Sequence, residues 1–257
     1  MNNYQAPTRF IGKKTKYLDC CESTNVLGFQ EALSLEIPEG FAWIAGQQTA
    51  GKGQRGNQWL AQANQNLLVS YLLKPTHELL PFQFFLSKAI AIGIVEGLQL
   101  WSNATFGEDL PLEIKWPNDI YVNDCKLGGV LIETTNQSNA VKSVIIGVGI
   151  NLNQTVFNRQ NATSIKKLRG TFTKTEDVLW MLCDSLTRYE NELGDYNLLK
   201  ESYENNLYRL REKSPFQLGN QRVEGEIIGV SSQGQLKIRI ADEVQLVEHG
   251  QLTWIFQ

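Results

Sequence analysis

A chain of 257 residues, 42% apolar and 20% charged, suffices for one large domain or one domain with a small appendage, and its core needs no disulfides. A formal net charge of −3, with both signs spread along the chain, argues against a general nucleic-acid surface. Cys20, Cys21, Cys125 and Cys183 form no C-x-x-C pair and read as free thiols in a reducing compartment, while two distant histidines, His77 and His249, argue against a zinc site or a Ser-His-Asp triad.

The first residues carry no charged region followed by an apolar run, so no signal peptide is expected and the protein is read as cytoplasmic. Ser23-Thr24-Asn25 precedes a short helical pattern over Val26–Leu35. Phe41–Gly46 is a strand, Gly51–Gly56 a glycine-rich loop and Leu67–Leu73 a second strand. Pro81 suits the first turn of a long helix to about Trp101, with Phe85, Ala89, Ile92 and Val95 on its apolar side. Its polar interruptions make it a buried helix rather than a membrane span.

Leu112–Trp116, Ile120–Val122, Val130–Glu133 and Val144–Ile150 read as strands joined by tight turns. Thr173 with Glu176 suggests a capping box for a helix bearing Val178, Leu182, Tyr189 and Leu193, stopped at Gly194. Another helix is expected from Asn197 to about Arg211. Beyond Pro215, alternating stretches at Gln217–Leu218, Val223–Val230, Leu236–Ile240 and Val244–Val247 predict a small antiparallel barrel or sandwich that leans on the rest. The expected fold is α+β: a mixed β-sheet packed by helices over residues 1–212, with the small β unit at 213–257.

Gly51, Gly53 and Gly56 match G-x-G-x-x-G, but an amide-rich stretch and a strand follow where a dinucleotide site needs a helix. Gly46, Gly51 and Lys52 match the start of a P-loop, but the next residue, Gly53, has no hydroxyl for Mg²⁺. What remains is a loop whose glycines admit an anion to the backbone and whose Lys52 and Arg55 offset its charge. A solvated hairpin with surface charges fits that segment equally well. Turn chemistry explains Pro117-Asn118-Asp119 but not Lys115 or Trp116 before them. Gly128-Gly129 and Gly147-Gly149 lie inside strands, which marks bulges, tight packing or close approach of a ligand.

Taken in order, Gly51–Trp59, Lys115-Trp116-Pro117-Asn118-Asp119, Lys126-Leu127-Gly128-Gly129-Val130-Leu131-Ile132-Glu133 and Gly147-Val148-Gly149-Ile150-Asn151 resemble the biotin–protein ligases over nearly the whole chain. The resemblance implies a class II aminoacyl-tRNA synthetase-like catalytic domain with a C-terminal SH3-like barrel. It implies activation of biotin by ATP, with Mg²⁺ accompanying the nucleotide and no intrinsic metal, and transfer to a lysine of a carboxylase's biotin-acceptor domain. It assigns Ser23, Thr24, Asn25, Gln48, Lys52, Gly53, Gln54, Lys126 and Gly129 to biotin. It assigns Lys52, Arg55, Asn57, Trp59, Asn118, Lys126, Gly149 and Asn151 to ATP and the adenylate.

The family commonly reads Gly-Arg-Gly-Arg at the loop; here Lys52 keeps a charge without the planar fork and Gln54 has none, so Arg55 is the compensating cation. Too few residues precede Ser23 for the helix-turn-helix domain of some members, so no DNA partner is expected, and the state is monomer or homodimer. Lys126, Asp119 and Arg55 are the catalytic candidates. The biotin carboxylate is already ionised and needs cations rather than a base, whereas the acceptor lysine must lose a proton, for which Asp119 is the chosen carboxylate. The rivals are a lipoate or octanoate ligase or transferase of the same architecture, and a non-catalytic SH3-like binding module.

Overall fold

The structure is a computed structural model that describes residues 11–74, 83–137, 140–158, 160–192 and 196–256. Seven strands form one mixed sheet: β1 (Thr15–Leu18), β2 (Ala42–Ala45), β3 (Asn66–Leu73), β4 (Leu112–Lys115), β5 (Asp119–Val122), β6 (Cys125–Gln137) and β7 (Ala140–Asn151), in the order β1-β2-β3-β7-β6-β5-β4. β1 and β2 pair in parallel, and the other neighbours are antiparallel.

The period of two along these strands decides which face does what. Leu67, Val69, Tyr71 and Leu73 of β3 and Val144, Ile146, Val148 and Ile150 of β7 enter the main core. Helix α2 (Gln83–Phe106) covers that face, with α4 (Thr175–Glu192) and α5 (Tyr196–Asn205) packed against it. Long and apolar enough to cross a membrane by composition, α2 is mostly buried within the fold. Gly97 lets α4 approach closely: a Cβ there would stand 3.1 Å from Leu182 Cδ2 and Met181 O. The alternate residues face the other way. Trp43, Leu72 and Ile145 form a second, smaller cluster under α1 (Thr24–Ser34). The rest of that second face carries Leu68 and Ser70 of β3, Gly147 and Gly149 of β7, and Gly129 and Leu131 of β6.

Strands β8 (Lys213–Leu218), β9 (Gln221–Val230), β10 (Leu236–Ile240), β11 (Glu243–Val247) and β12 (Leu252–Trp254) form an antiparallel sheet in the order β11-β10-β9-β8-β12. Phe216, Ile227, Leu236 and Ile238 belong to the same buried core as the first sheet, so the small unit leans on the large one. Among the joints between them, Trp116 Nε1 donates to Gly234 O at 2.9 Å, Leu210 bridges Ile227, and Val230 N donates to Glu204 Oε1 at 3.1 Å.

Several expectations need correction. Helix α5 ends at Asn205 rather than near Arg211, because Arg209 and Arg211 take left-handed φ of 53° and 61° and Leu207 bridges Ile114. The Thr173–Glu176 capping box does not form. Thr173 lies before the helix start at Thr175 and pairs through its backbone with the Asn153 amide, at 2.8 Å in each direction. Short β1, α3 (Ile165–Arg169) and β12 were not anticipated. The starting role given to Pro81 and the stop at Leu193-Gly194 lie outside the described residues, as do His77 and the side chain of Tyr189.

Candidate functional site

On the face opposite the main core, α1, the glycine-rich loop and strands β3, β5, β6 and β7 enclose a cleft of about 460 Å³. Its size suits a small-molecule site. Its floor is shaped by missing side chains. A Cβ at Gly147 would strike Asn25 Oδ1, and one at Gly149 would lie 2.6 Å from Trp59 Cε2. Such distances are far inside van der Waals contact, so both positions exclude even alanine without movement of a neighbour.

At the α1 end a network of polar side chains replaces apolar packing. Gln48 Oε1 accepts from Thr24 N at 2.7 Å and from Thr24 Oγ1 at 3.1 Å, which caps the first turn of α1. Ser70 Oγ, 2.7 Å from Thr24 Oγ1, donates to Asn25 Oδ1 at 2.6 Å. Asn25 Nδ2 donates to Glu133 Oε2 at 2.8 Å. The Asn25 amide is thus committed within the protein and holds α1 against the sheet. Ser23 stands at the N-cap position but makes no side-chain cap bond, and its buried hydroxyl lines the cleft. The helix-capping role of the Ser-Thr-Asn triplet therefore passes to Gln48.

The glycine-rich loop folds as a tight hairpin. Gly53 N donates to Asn57 O at 2.7 Å, Trp59 N donates to Gly51 O at 2.9 Å, and a 3-10 turn over Gln54–Gly56 closes its tip. Lys52, Gly53, Gln54, Asn57 and Trp59 all line the cleft. Gln54 Oε1 and Trp59 Nε1 are buried without a partner in the protein. Both atoms are closed off from solvent, and Trp59 Nε1 lies over Gly149, 3.0 Å from where a Cβ would stand. Arg55 behaves differently. Exposed and at a left-handed φ of 54°, it is absent from the cleft wall, and its guanidinium fills the space that a side chain at Gly250 would need.

Opposite the loop, Lys126 Nζ donates to Asp119 Oδ1 at 2.6 Å and lies 5.5 Å from the Trp59 ring centroid. Gly129 makes room for this pair: a Cβ there would stand 3.2 Å from Asp119 Oδ1 and 3.4 Å from Lys126 Nζ. Asn118 Nδ2 donates to Val130 O, and Asn151 Nδ2 to Thr163 O at 3.0 Å. The charged groups on the wall are Lys52 and Lys126 against Asp119, a surplus of positive charge that favours anions.

Lys115 and Trp116 do not join the cleft. Lys115 Nζ donates to Tyr121 OH at 3.1 Å and sits 4.8 Å from the Tyr121 ring and 5.0 Å from the Phe256 ring. The first half of Lys115–Asp119 thus secures the second sheet, and only Asn118 and Asp119 reach the site. Sequence reasoning missed three contributors. Ser70 was visible as a lone hydroxyl in an apolar strand. Gln154, whose Oε1 accepts from Gln62 N at 2.9 Å and Asn66 Nδ2 at 2.7 Å, carried no motif. Nor did His249, which reaches the cleft wall from the second sheet.

Residues 17–151 match the model of the biotin/lipoate A/B protein ligase family. A bifunctional ligase/repressor BirA of Bacillus spizizenii is 35% identical over 149 residues, 57% of this chain and 43% of that protein. The chain therefore spans less than half the length of that relative. A biotin–[acetyl-CoA-carboxylase] ligase of Paracoccus denitrificans is 27% identical over 85% of this chain and 91% of its own length. The fold is also that of a biotin protein ligase from Aquifex aeolicus in complex with biotin and ATP, with a TM-score of 0.75 and 23% identity over 94% of this chain and 98% of that one.

Proposed function

This chain belongs to the biotin/lipoate A/B protein ligase family, and on that premise we propose that it joins biotin to AMP at the expense of ATP and passes the biotinyl group to a lysine of a biotin-acceptor domain. The observation that carries the reading is convergence. Lys52 of the hairpin, Asn118 at the β4–β5 corner and Lys126 of β6 border one cleft, on a floor bared by Gly147 and Gly149.

In the first half-reaction a biotin carboxylate oxygen attacks the α-phosphorus of ATP and pyrophosphate leaves. Both reactants are anions, so positioning and offsetting charge supply the catalysis. Ser23, Thr24 and Gln48 hold the polar ring end of biotin, with Asn25 fixing α1 behind them. Trp59, Gly149 and Asn151 hold the adenine end, and Asn118, Lys52 and Lys126 meet carboxylate and phosphate. Asp119, the single acidic side chain on the cleft wall among the described residues, is already paired with Lys126. Mg²⁺ accompanying the nucleotide would supply charge neutralisation at its phosphates. In the second half-reaction Asp119 orients the incoming ammonium. Residues 1–212 form the catalytic unit and 213–257 an SH3-like one. Four free thiols suit the cytoplasm.

Arg55, turned toward Gly250, acts by pinning the hairpin to the second sheet rather than by touching phosphate. Arg55→Ala is expected to speed loss of bound adenylate about tenfold, the equivalent of one hydrogen-bonded contact. Adenylate release at the wild-type rate in that variant contradicts this role.

The decisive experiment incubates the protein with an isolated biotin-acceptor domain, Mg-ATP and either biotin or lipoate. A mass increase of one biotinyl group, with none from lipoate, supports the reading. Lipoylation, or no modification together with no thermal stabilisation by biotin and ATP, overturns it.

A further inference from the structure

The transfer step poses a proton problem that the cleft wall addresses in one place. A lysine amine is protonated near neutrality, since its ordinary pKa is about 10.4, and only the neutral amine attacks an acyl phosphate. Four titratable side chains border the cleft among the described residues: Lys52, Asp119, Lys126 and His249. The two lysines are cations. The Asp119 carboxylate is engaged by Lys126 Nζ at 2.6 Å. His249 is different in kind and in origin. It comes from the turn after β11, half-buried, with its ring edge-on to Trp116 at 5.7 Å between centroids.

We propose that His249 of the second sheet is the proton acceptor for the attacking lysine in the transfer half-reaction. The assignment rests on the ligase reading above. The lysine ammonium gives one proton to the unprotonated ring nitrogen of His249, and the freed amine forms the N–C bond to the biotinyl carbonyl. The C–O bond to phosphate breaks with its electron pair remaining on the AMP oxygen, and the second amine proton leaves to solvent. Asp119 holds the ammonium while this occurs.

The groups around the ring set its charge. Burial and then the Arg55 guanidinium hold the imidazole below its ordinary pKa, and the Asp119 carboxylate opposes them. The ring is consequently neutral at pH 7, as a proton acceptor must be. The second sheet on this view contributes to chemistry as well as to packing: its Gly250 receives the hairpin's Arg55 while the adjacent His249 borders the cleft.

The test separates the half-reactions. Biotinyl adenylate is formed on the enzyme with biotin and Mg-ATP and then mixed with a biotin-acceptor domain in single turnover, for wild type, His249→Gln and His249→Ala. Both variants are expected to transfer about 100-fold more slowly, a typical general-base contribution, with a far smaller change in adenylate formation. The wild-type transfer rate should level off above the imidazole range, whereas the variants' rates keep climbing with pH. Added imidazole should restore transfer in His249→Ala, a rescue that lost packing does not permit. If wild type forms no adenylate, the ligase reading fails and this inference with it. If all three proteins form adenylate and transfer at one rate with one pH profile, the assignment of His249 fails alone.

Discussion

Lys126→Met is expected to slow biotinyl-adenylate formation by about 10²- to 10³-fold, the usual cost of removing one preorganised donor from a developing anion. The geometry explains why the loss should exceed that of a surface charge. Lys126 Nζ is held by Asp119 on one side and lies over the Trp59 ring on the other, so it arrives at the reaction already oriented. Methionine keeps the stem volume and removes the cation. Stability should fall by about 1 kcal/mol or less, because both partners of the pair are partly exposed. A rapid-quench measurement of the pyrophosphate burst reads the first step directly. The double variant Lys126→Met/Asp119→Asn distinguishes two sources of the loss. If the defect arises from an uncompensated Asp119 carboxylate repelling ATP, removing that charge restores much of the rate. If Lys126 stabilises the transition state itself, the double variant stays slow. A burst of normal rate in Lys126→Met would remove the lysine from the mechanism.

How much of this was legible beforehand depends on the distance over which each signal acts. Strands β3 and β7 were readable because a short, nearly continuous apolar run is a local signal, and both have a face in the core. The glycines within β6 and β7 were readable as anomalies for the same reason: a strand has no local use for them. Lys115 and Trp116 stayed unexplained because two of their partners, Phe256 and Gly234, are brought to them by the docking of the second sheet. A motif in sequence order cannot say which of its residues face a ligand and which face a neighbouring unit. The same blindness hid His249, whose significance lies entirely in what stands opposite it. The capping box failed for a related reason. Thr173 and Glu176 have the right spacing, but Asn153, from the loop after β7, claims the Thr173 backbone and delays the helix start. Tertiary hydrogen bonds outweighed a local preference worth about 1 kcal/mol.

Lys88→Met is expected to raise stability by about 2 kcal/mol at pH 7 and to flatten its rise with pH above neutrality. Lys88, in the middle of the second turn of α2, is only 1% exposed, with Nζ 4.6 Å from the Phe84 ring centroid and 5.7 Å from that of Tyr203. Burial pushes its pKa down to about 8; the nearby Glu204 carboxylate opposes this, while Lys200 and Lys237 reinforce it. In the unfolded chain the same group titrates near 10.4. Between those values the unfolded state holds a proton that the folded state has released, so stability increases with pH across the window of about 8 to 10.4. Below pH 8 both states are protonated, and the fold carries the whole cost of a buried ammonium, roughly 3 kcal/mol from the size of the shift. Attraction to the two rings offsets about 0.5–2 kcal/mol of such a cost, and methionine forfeits it while retaining most of the stem's contacts. The balance favours the variant. Urea unfolding of both proteins from pH 7 to 10.5 decides the matter: a variant less stable at pH 7, or one with the wild-type slope, would mean that the rings and Glu204 more than compensate the buried charge. Tyr203, whose ring lies beside Lys88, donates to Pro117 O at 3.1 Å, and Glu204 accepts from Val230 N of the second sheet. Lys88 thus lies where α2 meets α5, beside the residues that tie α5 to the β4–β5 corner and to the second sheet.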